Sequence, residues 1–346
     1  MRIGVFFENC RAEERLWDSS TARRWMAVGI VALALLPLVG SDYVVAMACI
    51  VGIHLVATLG LNITTGSAGL ISLSHAAFVG VGCYALAWFS RWGIPFFVAL
   101  PLAGAVTALI GMVVGLPSLR VKGMYFAIAT LAAHFVLGFL FREWTPVTGG
   151  IKGVQIVPAS WFGIDLLGDR RMFFPIYACV LLLGLAAANL GRSYVGRAFV
   201  AVRDRDISAE ILGVNLLRTK VLAFTIGAFY AGVAGGLLGY FYGAITSEYF
   251  TFGLSVFYVA AIIVGGLGRV LGSVLGAVFM TFVPELLRLT ASATSGWLPG
   301  FSSQLLPMGE VVFGLLIVAF LIFEPHGLAQ VWDRVRRTFH LWPFRT

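Results

Sequence analysis

Apolar residues gather in ten long stretches, near 25–40, 43–61, 68–90, 95–116, 123–141, 172–190, 220–240, 252–268, 270–288 and 308–323, with polar passages between them. A helix that crosses a bilayer needs roughly 20 apolar residues, with a range of roughly 17–25. The pattern therefore predicts an all-α polytopic membrane protein of about ten transmembrane helices. The third stretch is interrupted by Gly66, Gly69, Ser72, Ser74 and His75, which predicts one broken helix at its start. The chain divides into an N-terminal tail (1–24), a membrane domain (25–323) and a C-terminal tail (324–346).

One long polar passage breaks the apolar pattern near the middle of the chain. Gly196 to Val221 reads GRAFVAVRDRDISAEILGVNLLRTKV, within a loop spanning 191–219. Residues 206–214 read as one short helix. Asp204 or Asp206 can accept a hydrogen bond from the free N–H groups at its start. Ile207, Ile211 and Val214 fall at i, i+4 and i+7, one apolar stripe beside a charged face. Gly213 and Asn215 can take the left-handed conformation that ends it. A short amphipathic helix hung between two spans needs a partner for its stripe. That partner is either the lipid headgroups or a cytoplasmic protein docked on it.

Composition fits this picture. Of 346 residues, 60% are hydrophobic and 12% charged; a soluble domain carries about 25% charged residues. The formal net charge of +8 matters less than where the charges lie. Arg and Lys crowd the N-tail, the 117–122 turn, the central loop, position 269 and the C-tail. Only Arg91, Arg142, Lys152, Arg170, Arg171 and Arg288 fall in the other set of loops. Positive charge stays cytoplasmic, so both termini and the central loop are expected on the cytoplasmic side. Residues 142–171, with Trp144, Thr148, Gly149, Gly150 and Trp161, become the long external loop. The four cysteines stand apart from one another, so neither a disulfide framework nor a zinc site is indicated. Small residues recur every fourth position, as Gly227, Ala231, Gly235 and Gly239 in the seventh stretch and as Gly268, Gly272 and Gly276 in the ninth. Lipid gives helices no hydrophobic reason to associate, so close approach through small residues supplies the packing.

Few polar groups lie inside the spans, and each needs a reason at about 2.5–3.5 kcal/mol for a mid-membrane charge. His54 and His134 are expected to bond to neighbouring helices. His75 ends a richer run, in which Asn62, Thr64, Thr65, Ser67, Ser72 and Ser74 accompany displaced backbone. Irregular backbone at membrane depth is tolerated only when buried in protein or lining a cavity, and transporters use broken helices to present donors to a substrate. Asn62, Thr65, Ser67, Ser72, Ser74 and His75 are therefore candidates for a substrate pathway. Glu285 can pair with Arg288, and Pro325 marks the stop of the last span. No G-x-x-x-x-G-K-[ST], H-E-x-x-H or G-x-S-x-G occurs, so the chain is expected to have no catalytic residues, no ATPase site and no metal. The scattered basic residues leave no footprint for nucleic acid.

Six stretches in order, Asn62–Tyr84 (NITTGSAGLISLSHAAFVGVGCY), Leu119–Leu131 (LRVKGMYFAIATL), Trp144–Gly153 (WTPVTGGIKG), Gly196–Asn215, Ile262–Gly276 and Phe323–Leu328, together resemble the permease subunit of branched-chain amino acid ATP-binding cassette (ABC) importers, the LivM-like family. Their order matches the family's, and the likeness covers about residues 45–330. Leu70, Ser74, Ser208 and Arg269 depart from the residues common in the family. The resemblance implies a type II-like importer bundle in the cell (inner) membrane. It implies a second homologous permease subunit, two ATP-binding subunits that use ATP and Mg, and a periplasmic or external solute-binding protein. The central helix becomes a coupling helix, with Arg197, Arg203, Arg205, Asp206, Glu210 and Gly213 around Ile207 and Ile211, which fill a groove of the ATP-binding subunit. Thr148, Gly149 and Gly150 would face the binding protein. The solute implied is a branched-chain amino acid, with urea, short amides or aromatic acids as alternatives. A proton-coupled carrier using His54, His75 and His134, or a membrane subunit that moves nothing, are the competing classes.

Overall fold

A computed structural model describes residues 20–118, 123–158, 160–161, 164–165, 168–294, 311, 314–315, 317–320, 322–324 and 327–341. The N-terminal tail to residue 19, the turn bearing Arg120 and Lys122, Glu310, Pro325 and Arg345 lie outside them. The helices are α1 (Ser20–Val39), α2 (Asp42–Leu61), α3 (His75–Arg91), α4 (Phe96–Ser118), α5 (Met124–Glu143) and α6 (Asp169–Arg192). After them come α7 (Tyr194–Asp204), α8 (Asp206–Ile211), α9 (Leu216–Tyr242), α10 (Phe252–Gly265), α11 (Val270–Thr294) and α12 (Leu328–Leu341). Where described, 311–323 is also helical.

Among the described residues, five helices are long and apolar enough to cross a membrane. They are α2 with its extension (Asp42–Ser67), α4, α5, α6 and α9. Shorter apolar helices cover Phe252–Gly265 and Val270–Leu286. The chain is a polytopic, multi-pass membrane protein.

The bundle is built around α9, which packs against α2, α3 and α4. Its small residues make this possible. A Cβ at Gly235 would run into the backbone carbonyl of Val79 in α3, so at this crossing the two backbones touch. The expected four-residue stripe in this helix is thus an internal packing surface. In the ninth stretch the stripe is only partly helical. The helix begins at Val270, and Gly268 lies in the preceding turn with φ of 77°.

Each end of the bundle carries its own ion pairs. At one end Arg170 at the start of α6 pairs with Asp42 at the start of α2, 2.8 Å apart. Glu285 there accepts from Arg288 at 2.7 Å and from the Tyr43 hydroxyl. The long loop lies at this end too, its β1 (Val154–Gln155) paired antiparallel with β4 (Ala244–Ile245) just beyond α9. A second pair, β2 (Ser160–Trp161) and β3 (Ile164–Asp165), forms within the loop. At the opposite end lie the central loop, Arg269 and α12, with Arg269 bonded to Asp333. Arg334 holds Glu324 at 2.9 Å, which fixes the start of the C-terminal tail.

Two local expectations are corrected. The third apolar stretch is helical only from His75; residues 68–74 are irregular, and the chain before them continues α2 as a π-helical turn, Asn62–Ser67. The break thus lies between α2 and α3, where side chains from α5, α7 and α10 satisfy it. The central loop holds two helices, α7 and α8, where the residue pattern predicts only the second. The apolar face of α7 is Gly196, Phe199 and Val202, and its polar letters obscured that spacing.

Replacing Gly235 with Val is expected to lower the melting temperature of detergent-purified protein by several degrees or prevent its purification, in keeping with an overpacking cost of about 1–3 kcal/mol. Gly138→Ala, where a Cβ meets nothing within 4 Å, should melt like the parent. Fluorescence-detected thermal unfolding of both variants checks this.

Candidate functional site

The helix pair α7–α8 is shaped by its caps. Ser193 starts α7, its hydroxyl accepting from Gly196 N at 3.2 Å. Arg205 adopts an extended conformation that separates the two helices. The Asp206 carboxylate accepts from Ile207 N at 2.9 Å from the first helical position, while the N-cap falls to Arg205, whose side chain makes no capping bond. A Schellman motif closes α8: Gly213 N donates to Glu210 O at 2.9 Å and Val214 N to Ala209 O at 3.0 Å. Gly213 has φ of 88°, a conformation that a side chain strains. Asn215 does not share that role. Its side chain accepts from Arg218 N at 3.0 Å and begins α9.

This arrangement turns α8 outward. Ala209 is buried against the bundle, whereas Ile207, Ile211 and Leu212 are 67%, 81% and 83% exposed. Fully burying such a side chain is worth roughly 1.5–3 kcal/mol, so the cluster offers a partner several kcal/mol. Leu212 completes the surface; Val214, the third member expected of the stripe, is half-buried and belongs to the turn. Arg205 and Glu210 are exposed beside the cluster. Arg197 points back to the carbonyl of Arg192 at 3.0 Å.

Arg203 departs from the expected outward role. Its guanidinium donates to the carbonyl of Gly66 in the π-turn. The π-turn is in turn clamped by Asn62. Asn62 Oδ1 accepts from Gly268 N, and its Nδ2 donates to Arg269 O and Ser273 Oγ, all at 2.8 Å. Thr65 Oγ1 donates to Leu70 O at 2.9 Å, and Ser72 and Ser74 share a bond of 3.2 Å. His75 Nε2 donates to Ala57 O at 2.8 Å, and Ser67 is half-buried. Thr130 of α5 accepts from Leu73 N and Ser255 of α10 from Ala76 N, each at 3.0 Å. The predicted polar run is thus gathered in one place, and its bonds are made within the chain. Between the run and the end of α7 lies a cavity of about 200 Å³, lined by Gly69, Leu70, Phe126, Arg203, Asp204 and Lys220 among others.

His54 Nδ1 lies 3.1 Å from the hydroxyl of Tyr258 in α10, a bond between helices as expected. His134 Nδ1 is buried with no hydrogen-bond partner among the described residues. Among the described residues no group of His, Cys, Asp and Glu is placed to hold a metal ion.

The sequence matches the family model for the branched-chain amino acid transport system / permease component over residues 43–321. The chain belongs to this family. Its relatives include the high-affinity branched-chain amino acid transport system permease protein LivM of Salmonella typhimurium, 31% identical over 90% of this chain and 76% of the relative. The LivM protein of Escherichia coli is 30% identical over the same shares. The autoinducer 2 import system permease protein LsrC of an Enterobacter species is 30% identical over 70% of each chain. No solved structure matches.

In this permease the matched region contains both the helix pair and the polar run beneath it. It also contains the loop residues Thr148, Gly149 and Gly150, which build the loop from within. Thr148 is buried; its hydroxyl donates to Trp144 O at 2.8 Å and accepts from Gly150 N at 3.2 Å. The exposed apolar surface there is Trp144, Ile151 and Val157. The pairing of hydrophobic residues with turn glycines marks this loop in the sequence, but not which of them faces outward.

Removing the Asn62 side chain strands the Gly268 N–H and the Ser273 hydroxyl. An unmade buried bond costs about 1–3 kcal/mol, so Asn62→Ala should unfold several degrees below the parent in a thermal melt, and Asn62→Asp, which keeps the acceptor for Gly268, should fall between them.

Proposed function

We propose that this chain is the permease subunit of an ABC importer, with ten spans in the cell inner membrane and both termini in the cytoplasm. The charge asymmetry of its loops supports the orientation. It has no ATPase of its own and draws on two ATP-binding subunits, which use ATP and Mg. It pairs with a second, homologous permease and receives solute from a periplasmic or external binding protein. The observation that carries this reading is the outward apolar cluster of Ile207, Ile211 and Leu212, held on a helix that the Gly213 turn fixes to the bundle. A surface of this size on a rigid mount suits a groove in a soluble partner. Closure of two such partners on ATP would draw the helices together and switch access across the membrane.

The solute proposed is a branched-chain amino acid, since the LivM relatives carry that name over most of this chain. The LsrC relatives are named for autoinducer 2 import, which makes that solute the natural competitor in an uptake assay. Urea, short amides and aromatic acids complete the panel. Asn62, Thr65, Ser67, Ser72, Ser74 and His75 are proposed to shape the cytoplasmic end of the pathway through their bonds rather than by touching solute. The exposed loop residues Trp144, Ile151 and Val157, on the frame of Thr148, Gly149 and Gly150, are proposed to meet the binding protein.

Two measurements test this. Ile211→Asp and Gly213→Pro should each remove at least nine-tenths of the ATP-binding subunit that co-purifies with the permease, while membrane insertion is unchanged. Uptake of labelled leucine into proteoliposomes of the whole importer should require ATP and binding protein; uptake by the permease alone, driven by a pH gradient, would overturn the reading.

A further inference from the structure

The exposed face of α8 explains how a partner grips the chain, but not how a pull on α8 reaches the membrane bundle. The helix pair meets the bundle at a point that the sequence pattern does not announce. The stem of Arg203 lies across Gly69, whose added Cβ would sit 3.0 Å from Arg203 Cγ. Its head reaches the Gly66 carbonyl, and Gly268 stands beside it, with an added Cβ 3.1 Å from Arg203 Nη1. One side chain on the last turn of α7 therefore touches both the π-turn that ends α2 and the turn that joins α10 to α11.

Those two turns are already one unit, since Asn62 bonds Gly268, Arg269 and Ser273. A π-turn is rare and frequently marks a functional site. The residues that follow it bond in a mixed pattern: Ala68 N donates to Ile63 O at 3.2 Å and Leu70 N to Thr64 O at 3.0 Å, while Gly69 N keeps the α spacing to Thr65 O at 3.1 Å. Ile207 and Ile211 thus face away from the bundle, while Arg203, itself exposed, sends its guanidinium back to the Gly66 carbonyl.

We propose that Arg203 is the positioning residue that carries movement of α8 into the bundle, by way of the Gly66 carbonyl and the Asn62 clamp, to the turn between α10 and α11. This rests on the reading that α8 docks an ATP-binding subunit. Arg203 is then not a docking residue. It touches the partner little or not at all, and its loss separates ATP hydrolysis from movement in the bundle.

The test uses the whole importer, purified as this permease with its partner permease and ATP-binding subunits. Amide hydrogen exchange is compared with ADP and with ATP plus vanadate. In the parent, exchange should change on ATP trapping over 206–215, 62–70 and 266–273. R203A should keep the ATP-binding subunits and the change over 206–215, and lose at least three-quarters of the change over 266–273. ATP hydrolysis should stay within about twofold of the parent. R203M, which keeps the stem on Gly69 but not the donor, should behave as R203A does, so the outcome does not hang on one variant folding. R203K, which keeps a cationic donor, should recover at least half of the lost change. A full response over 266–273 in R203A and R203M overturns the proposal, as does loss of the ATP-binding subunits from both variants, which would make Arg203 a docking contact. Failure of the parent itself to hold ATP-binding subunits overturns the docking reading first and this proposal with it.

Discussion

Backbone that leaves a helix near a membrane must find hydrogen bonds within the protein, because lipid offers none. The structure of this permease turns on how that demand is met between Asn62 and His75. The chain unwinds there, and its neighbours supply the missing partners. Thr130 comes from α5, Ser255 from α10, and the Ala57 carbonyl from α2 itself. Asn62 works in the reverse sense, using its amide to satisfy the turn before α11. The unwound segment is therefore a junction at which α2, α5, α10 and α11 are tied, and each tie removes a polar group from lipid.

The rest of the bundle allows this junction to form. Hydrophobic side chains gain little by leaving lipid for one another, so the helices associate through close contact. The small residues of α9 bring its backbone against α3, and α9 begins directly after α8. The mount for the exposed cluster and the central helix of the bundle are thus one continuous piece of chain. A rigid mount suits the proposed docking role, since a helix that bent freely where it joins α9 would absorb any pull applied to it. The Schellman turn at Gly213 and the Asn215 cap limit that freedom.

Membership of the permease family frames these features without settling the cargo. Relatives named for branched-chain amino acids and for autoinducer 2 share comparable identity with this chain over much of its length. The Asn62 clamp and the Gly213 turn are built from backbone geometry and internal bonds, and their polar groups are spent within the chain.

Much was legible in the residues alone. The apolar stretches, the opposed charge at the two ends, the short helix at 206 and the interruption near 66–75 each rest on local composition, because membrane burial, charge placement and capping act over a few neighbouring residues. What tertiary structure alone decided is direction. Arg203 and Arg205 stand two apart in one basic run and are both exposed, yet the Arg203 guanidinium reaches the Gly66 carbonyl across the bundle. Thr148 sits in a loop that looks like a surface and is buried. Asn62 sits in a polar run that looks open and bonds to residues some two hundred positions away. A side chain's partner across the bundle depends on how helices far apart in sequence come to lie together, and no local pattern carries that information.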